Sequence, residues 1–174
     1  MKRLIILAAA ALTLGATTAN AQRALSKDGV GLNIGYSGFN ENAGIGVHYR
    51  MGLGKGFRFE PAFNYYFEND GKSQWDLMGN FHYVIPVGKR VGVYPLVGLG
   101  IAGLHHEWYS DDGLYGHDRD ETKVSFTMNF GAGLEVPVTS NFSLGVDLKG
   151  QYISWDGVGD HVQFVPTFKF TYLF

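Results

Sequence analysis

From residue 30 onward, apolar and polar positions alternate in segments of about ten residues, the period of a strand whose two faces meet different surroundings. Val30, Leu32, Ile34 and Tyr36 interleave with Gly31, Asn33, Gly35 and Ser37. Ile45, Val47, Tyr49 and Met51 then alternate with Gly44, Gly46, His48 and Arg50. After the glycine-rich turn Gly52-Leu53-Gly54-Lys55-Gly56 comes the clearest segment. Phe57, Phe59, Pro61, Phe63, Tyr65 and Phe67 share one face, and Arg58, Glu60, Ala62, Asn64, Tyr66 and Glu68 share the other. Asn69-Asp70-Gly71 is a hairpin signal. A fourth segment sets Trp75, Leu77, Phe81, Tyr83 and Ile85 against Asp76, Met78, Asn80 and His82.

The fifth segment, residues 91–104, is apolar on both faces, so its phase is not readable. Residues 105–122 are polar and acidic and are expected to form one long loop. Three further segments restore the alternation. Val124, Phe126, Met128, Phe130, Ala132 and Leu134 oppose Lys123, Ser125, Thr127, Asn129 and Glu135; Phe142, Leu144, Val146, Leu148 and Tyr152 oppose Ser143, Asp147, Lys149 and Gln151. Last, Val162, Phe164, Phe168, Phe170, Tyr172 and Phe174 oppose His161, Gln163, Thr167, Lys169 and Thr171. The pattern predicts an all-β chain of about eight antiparallel strands closed into a barrel. Pro61, Pro95 and Pro166 fall inside predicted strands, where each is expected to mark a bulge that resets the local alternation.

Which face points inward follows from charge and volume. The polar face carries Arg50, Arg58, Lys149 and Lys169 against Glu60, Asp76, Glu135 and Asp147, equal numbers of opposite sign. The apolar face carries large aromatics. An eight-stranded interior is only just wide enough for side chains to fill, and it would not hold that many rings. The charges are therefore expected inside, paired because isolated buried charges are costly, with hydrocarbon outside. Aromatics near strand ends fit interfacial girdles: Tyr49, Phe57, Tyr83, Phe142 and Tyr172 at one rim, Tyr36, Phe67, Trp75 and Tyr152 at the other. The short links near 52–56, 87–90 and 137–141 are assigned to the periplasm. The links near 38–43, 69–73, 105–122 and 154–160 are then extracellular, with both termini periplasmic.

The first residues agree with export. Lys2 and Arg3 precede an apolar run from Leu4 to Leu14, and Ala19-Asn20-Ala21 provides a small-x-small cleavage site, so residues 1–21 read as a signal peptide and 22–174 as the mature barrel. The run is shorter than the roughly 20 residues that span a bilayer. Glycine (25 residues) and aromatics (15%) are both abundant, a pairing typical of barrels and sandwiches. Lys2 and Arg3 are the only charges before residue 22, so the mature chain keeps 12 basic against 16 acidic residues. No basic stripe exists for nucleic acid. Cysteine is absent, which excludes disulfides, thiol chemistry and a lipid-anchoring cysteine.

By these residues the mature chain resembles the small porin-like outer-membrane β-barrel proteins, the OmpA/OmpX type, and especially single-domain versions from Bacteroides-like bacteria. The most specific element is Phe168-Lys169-Phe170-Thr171-Tyr172-Leu173-Phe174, which is similar to the C-terminal signal that the outer-membrane insertion machinery reads. The runs Phe57-Arg58-Phe59-Glu60-Pro61-Ala62-Phe63-Asn64-Tyr65 and Tyr94-Pro95-Leu96-Val97-Gly98-Leu99-Gly100 also look like family strands. The resemblance implies residence in the cell outer membrane. Its implied partners are outer-membrane lipid and lipopolysaccharide, periplasmic chaperones and the insertion machinery, with no cofactor. No peptidoglycan-binding domain follows the barrel, so a cell-wall tether is not implied.

Chemistry-bearing clusters are sparse. His105, His106, Glu107, Asp111, Asp112, His117, Asp118, Asp120 and Glu121 could ligate a divalent ion, but without a ligand spacing; solvated acidic loops are common and no metal site is expected. Ser154, Asp156, Asp160 and His161 could supply a nucleophile, orienter and base, yet such residues also dominate turns, and no catalytic residues are assigned. Gly98-x-Gly100-x-x-Gly103 matches the dinucleotide fingerprint only in letters, since it opens no helix. The leading expectation is a structural, non-enzymatic barrel that displays extracellular loops and could take a ligand through 105–122. The alternatives are a porin-like channel for small solutes and, second, a lipid-modifying enzyme.

Overall fold

The alternating segments do become strands, and the strands close on one another. A computed structural model describes residues 27–38, 41–69, 71–87, 91–108, 119–155 and 159–174; the signal-peptide reading lies outside them. The elements are β1 (Gly29–Ser37), β2 (Asn42–Gly54), β3 (Phe57–Asn69), β4 (Lys72–Tyr83), β5 (Ile85–Val87), β6 (Val91–Trp108), β7 (Arg119–Pro137), β8 (Phe142–Trp155) and β9 (Gly159–Leu173). Every strand pairs antiparallel with its sequence neighbours except β4 and β5, which do not pair with each other; β1 also pairs with β9, and β4 with β6. β5 continues on β6 in the register of β4, with His82↔Leu96 followed by Ile85↔Val93. The two are one stave interrupted at Val84, so the barrel is closed and eight-stranded.

The faces fall as the period requires. Leu32, Val97 and Phe164 are 61%, 62% and 57% exposed, whereas Arg58 and Glu135 are 1% exposed. An apolar band of that extent around a whole barrel is far larger than water-soluble proteins carry, and hydrocarbon is the solvent that satisfies it. Among the described residues no helix is long and apolar enough to cross a membrane. Membrane crossing therefore rests on the strands, which satisfy their backbone groups through closure. At the end holding both termini, rings pair between strands: Phe57 with Tyr83 at 4.9 Å, Phe142 with Tyr172 at 5.2 Å, and, over β1, Tyr49 with Phe174 at 6.3 Å.

Three expectations need correction or completion. The prolines mark no bulges. Pro61, Pro95 and Pro166 pair in register with Gly79, Ala132 and Leu148, and the alternation runs through each unchanged. What each interrupts is the ladder on its other side, where the registers set it opposite Tyr49, Tyr83 and Tyr36 without a bridge. The reason is geometric. A residue in an antiparallel sheet turns its N–H toward one neighbour only, so a missing N–H disturbs one ladder and leaves the other whole. The register shifts lie instead at Gly52/Gly54 and Tyr66/Asn69, near strand ends.

Second, β6 acquires a phase: Tyr94, Leu96, Ala102 and Leu104 are buried inside, and Val93, Val97, Leu99 and Ile101 face out. Third, the long loop is shorter than residues 105–122. β6 and β7 stay paired through His105↔Thr122, His106↔Glu121, Glu107↔Asp120 and Trp108↔Arg119, forming a hairpin past the readable alternation. Ladder bonds belong to the backbone and persist where side chains lose their pattern.

Candidate functional site

The candidate site is the barrel interior, built from inward side chains of every stave. The eight charges expected inside are buried there, whereas Glu68 and Lys123, on the same face near strand ends, are not. Arg50 of β2 donates through Nη1 to Glu135 Oε1 of β7 at 2.6 Å, and Arg58 of β3 donates through Nη1 to Glu135 Oε2 at 2.7 Å. A second cluster joins Lys169 of β9 to Glu60 of β3, with Asp147 Oδ2 3.4 Å from the same ammonium. Arg50 Nε approaches Glu60 Oε2 at 3.9 Å, so the clusters meet. Lys149 acts electrostatically on Asp76 and Asp147. Four cations thus face four carboxylates, the balance that buried charges require.

Tyr94 is the hub that alternation did not reveal. Its hydroxyl donates to Asp147 Oδ1 at 2.6 Å, while Arg58 lies over its ring at 4.8 Å. The His82 imidazole stacks on the other part of this assembly, 4.7 Å from the Tyr94 ring and 16° from parallel, and Arg58 Nε is 3.1 Å from its Nδ1. Across the ladder from Tyr94 stands Gly133, where a Cβ would collide with both the ring and Asp147. A glycine is required there for the ring to lie flat over the lumen.

Toward the other end, charges give way to amides. His48 bonds Asn33 Oδ1 at 2.7 Å, Asn33 donates to Asn64 at 3.0 Å, and Asn64 donates to Asp76 at 2.7 Å. Asp76 also accepts from Gln151 at 3.1 Å. Gln163 donates to Gln151, and Ser37 donates to Gln163 at 2.6 Å. Thr171 links this chain to the charge clusters, 3.0 Å from His48 Nε2 and 3.4 Å from Arg50 Nη2. Ala102, Leu104 and Ile153 then form an apolar layer. The signal for these amides was present in the alternation, as inward Asn and Gln, but their partners lie on distant strands.

Other sequence candidates end up apart from the interior. Phe168, Phe170, Tyr172 and Phe174 all face outward. Ser154 Oγ donates to Asp160 Oδ1 at 3.0 Å at the loop end of the β8–β9 hairpin. The Asp160 carboxyl is held below its ordinary range there, first by a hydrogen bond from Tyr152 and then by that from Ser154. Asp156 lies outside the described residues. So do Asp111, Asp112, His117 and Asp118, and among the described residues no group of three potential ligands gathers for a metal. Gly98 and Gly100 lie on β6 beside Asn80 and Met78, where a Cβ would collide with those side chains, and they open no helix.

Solved structures similar to this chain include small outer-membrane barrels. The N-terminal β-barrel domain of OprF from Pseudomonas aeruginosa shares 19% identity, with 84% of this chain and 97% of that one covered and a TM-score of 0.53. Neisserial surface protein A shares 16% identity over 85% and 95%, with a TM-score of 0.57. Ail of Yersinia pestis, solved with the heparin analogue sucrose octasulfate, shares 18% over 85% and 97%, with a TM-score of 0.50. No curated protein matches significantly. The outer membrane protein beta-barrel domain profile matches residues 7–164, nearly the whole length. With the closed eight-strand barrel, its apolar outer band and its polar core, this chain belongs to the outer membrane protein beta-barrel domain family.

Proposed function

We propose that this barrel is a non-enzymatic structural protein of the outer membrane that holds loops at the cell surface, with both termini in the periplasm. The observation that carries the reading is the bond from Arg50 to Glu135. In the order of staves around the ring, β2 and β7 stand diametrically opposite, so this ion pair crosses the full lumen. Asp76 to Gln151 and Lys169 to Glu60 join staves three apart around the ring, and Tyr94 to Asp147 joins β6 to β8. A lumen bridged this way is a strut, and diffusion of solutes through it would require breaking buried charge pairs. In this reading the extracellular partner meets the 105–122 hairpin, which carries six acidic residues and one basic residue. That charge selects a cationic ligand and disfavours a sulfated polysaccharide.

The test is conductance of the purified, refolded protein in planar bilayers. Silent membranes are expected with the wild type. Stable unitary steps that depend on the protein would overturn the reading and favour the porin-like alternative. Lipid A recovered from cells that overproduce the protein should be unchanged; a modified lipid A would favour the enzyme.

A further inference from the structure

We infer that the barrel wall holds a lateral site for one phospholipid acyl chain at the seam between β4 and β6. The seam begins with Pro95. Opposite it, at Tyr83, the β4–β6 ladder has no bridge, and β4 ends there. The next residue, Val84, sends its N–H away from the seam, to the Gly56 carbonyl at 2.7 Å. At this place the wall is held on one side only. A cavity of about 230 Å³ opens there, lined from outside by Phe57, Phe81, Tyr83, Pro95 and Val97. Its floor is the strand at His82 and Leu96, whose side chains point away from it to the interior. The cavity is thus an open apolar groove on the outer face of the wall, at the interrupted ladder.

The occupant follows from the surroundings. The mouth is continuous with the membrane-facing band, where Phe81 and Val97 are 53% and 62% exposed, so only groups dissolved in the bilayer meet it. The lining is apolar on its outer side and asks for no hydrogen-bonding partner. Its volume falls below the roughly 300–1,000 Å³ of sites for compact drug-sized ligands, which suits the slender end of a hydrocarbon chain. The Phe57–Tyr83 ring pair stands at the rim, where aromatic side chains lie at headgroup depth and would bracket the lipid's polar end. The groove depends on the membrane-barrel fold, and its phospholipid occupant rests on the proposed orientation, which puts the Phe57–Tyr83 rim in the periplasmic leaflet.

The experiment uses the refolded protein in phosphatidylethanolamine/phosphatidylglycerol vesicles doped with a phospholipid that carries a diazirine in its acyl chain. After illumination, label is mapped by mass spectrometry. Peptides bearing Phe81 and Val97 should carry at least severalfold more label than those bearing Leu32 and Phe170, an equally lipid-facing pair on the opposite wall. Val97→Trp, which fills the cavity, and Pro95→Val, which restores an N–H to the seam, should each remove that excess. Gel mobility of unheated samples confirms that each variant is folded, and either variant alone suffices. Equal labelling of both walls, or an excess that survives a folded filling variant, overturns the site. Label confined to a diazirine fatty acid and never seen with the phospholipid overturns the proposed occupant. Failure of either wall to label would instead count against membrane insertion itself.

Discussion

Glu135 is the residue on which the interior turns, because one carboxylate accepts from two guanidinium groups that would otherwise repel. Glu135→Gln removes the negative charge and leaves Arg50 and Arg58 buried without their shared counter-ion. Breaking a buried pair in this way costs about 3–5 kcal/mol. The urea midpoint of unfolding from lipid vesicles should fall accordingly. Phe63→Ala, on the outer face, should lower it far less, since lipid chains take the place of the lost ring. A larger loss from Phe63→Ala than from Glu135→Gln would invert the assignment of faces. Tyr94→Phe is a finer test of the same network. It deletes the hydroxyl that donates to Asp147 and keeps the ring against Arg58 and His82. A hydrogen bond to a charged group contributes about 1.5–3 kcal/mol, so a midpoint shift of that size is expected. An unchanged midpoint would mean that the lysines beside Asp147 satisfy it without the hydroxyl.

At the scale of elements, the closing strand matters most. β9 pairs with both β8 and β1, joining the two ends of the chain, and Phe174 follows it with its N–H bonded to the Asp28 carbonyl at 3.1 Å. Its ring pairs with Tyr49 at the rim. Deleting Phe174 loses one backbone bond and one ring contact, a stability change of order 1 kcal/mol. The terminal alternation Phe168, Phe170, Tyr172 and Phe174 is proposed to be read by the insertion machinery, so assembly in cells should suffer more than stability does. Refolding of the variant from urea into detergent should succeed, while the amount reaching the outer membrane falls steeply. Equal failure on both routes would make Phe174 a stability residue. Success on both would remove the recognition role.

For the whole molecule, closure matters because it leaves no strand edge and lets the barrel complete its backbone hydrogen bonding without the outer hairpin. His105 and Thr122 face each other across the ladder, so an Asn-Gly turn in place of residues 106–121 fits a two-residue hairpin. That replacement should leave membrane insertion and heat-dependent gel mobility intact, and abolish capture of any cationic surface ligand. Loss of insertion would show that the hairpin packs into the barrel and is no display element.

Sequence alone determined where most strands run, their number of about eight and the face of nearly every side chain in them, because a period of two is local and each face meets one solvent. Arg50, Arg58, Glu60, Asp76, Glu135, Asp147, Lys149 and Lys169 could be placed inside for that reason. The paired ends of β6 and β7, where the pattern stops, it did not determine. Three further matters were decided only by tertiary structure. The phase of β6 was hidden, since a strand apolar on both faces carries no contrast; its neighbours' registers turn Tyr94 inward. The prolines were misread as bulges, because only the ladder shows which neighbour a missing N–H would have faced. The partner of each charge was also undetermined. Arg50 and Glu135 stand far apart in the chain, and only the stagger of strands on closure brings them within 2.6 Å.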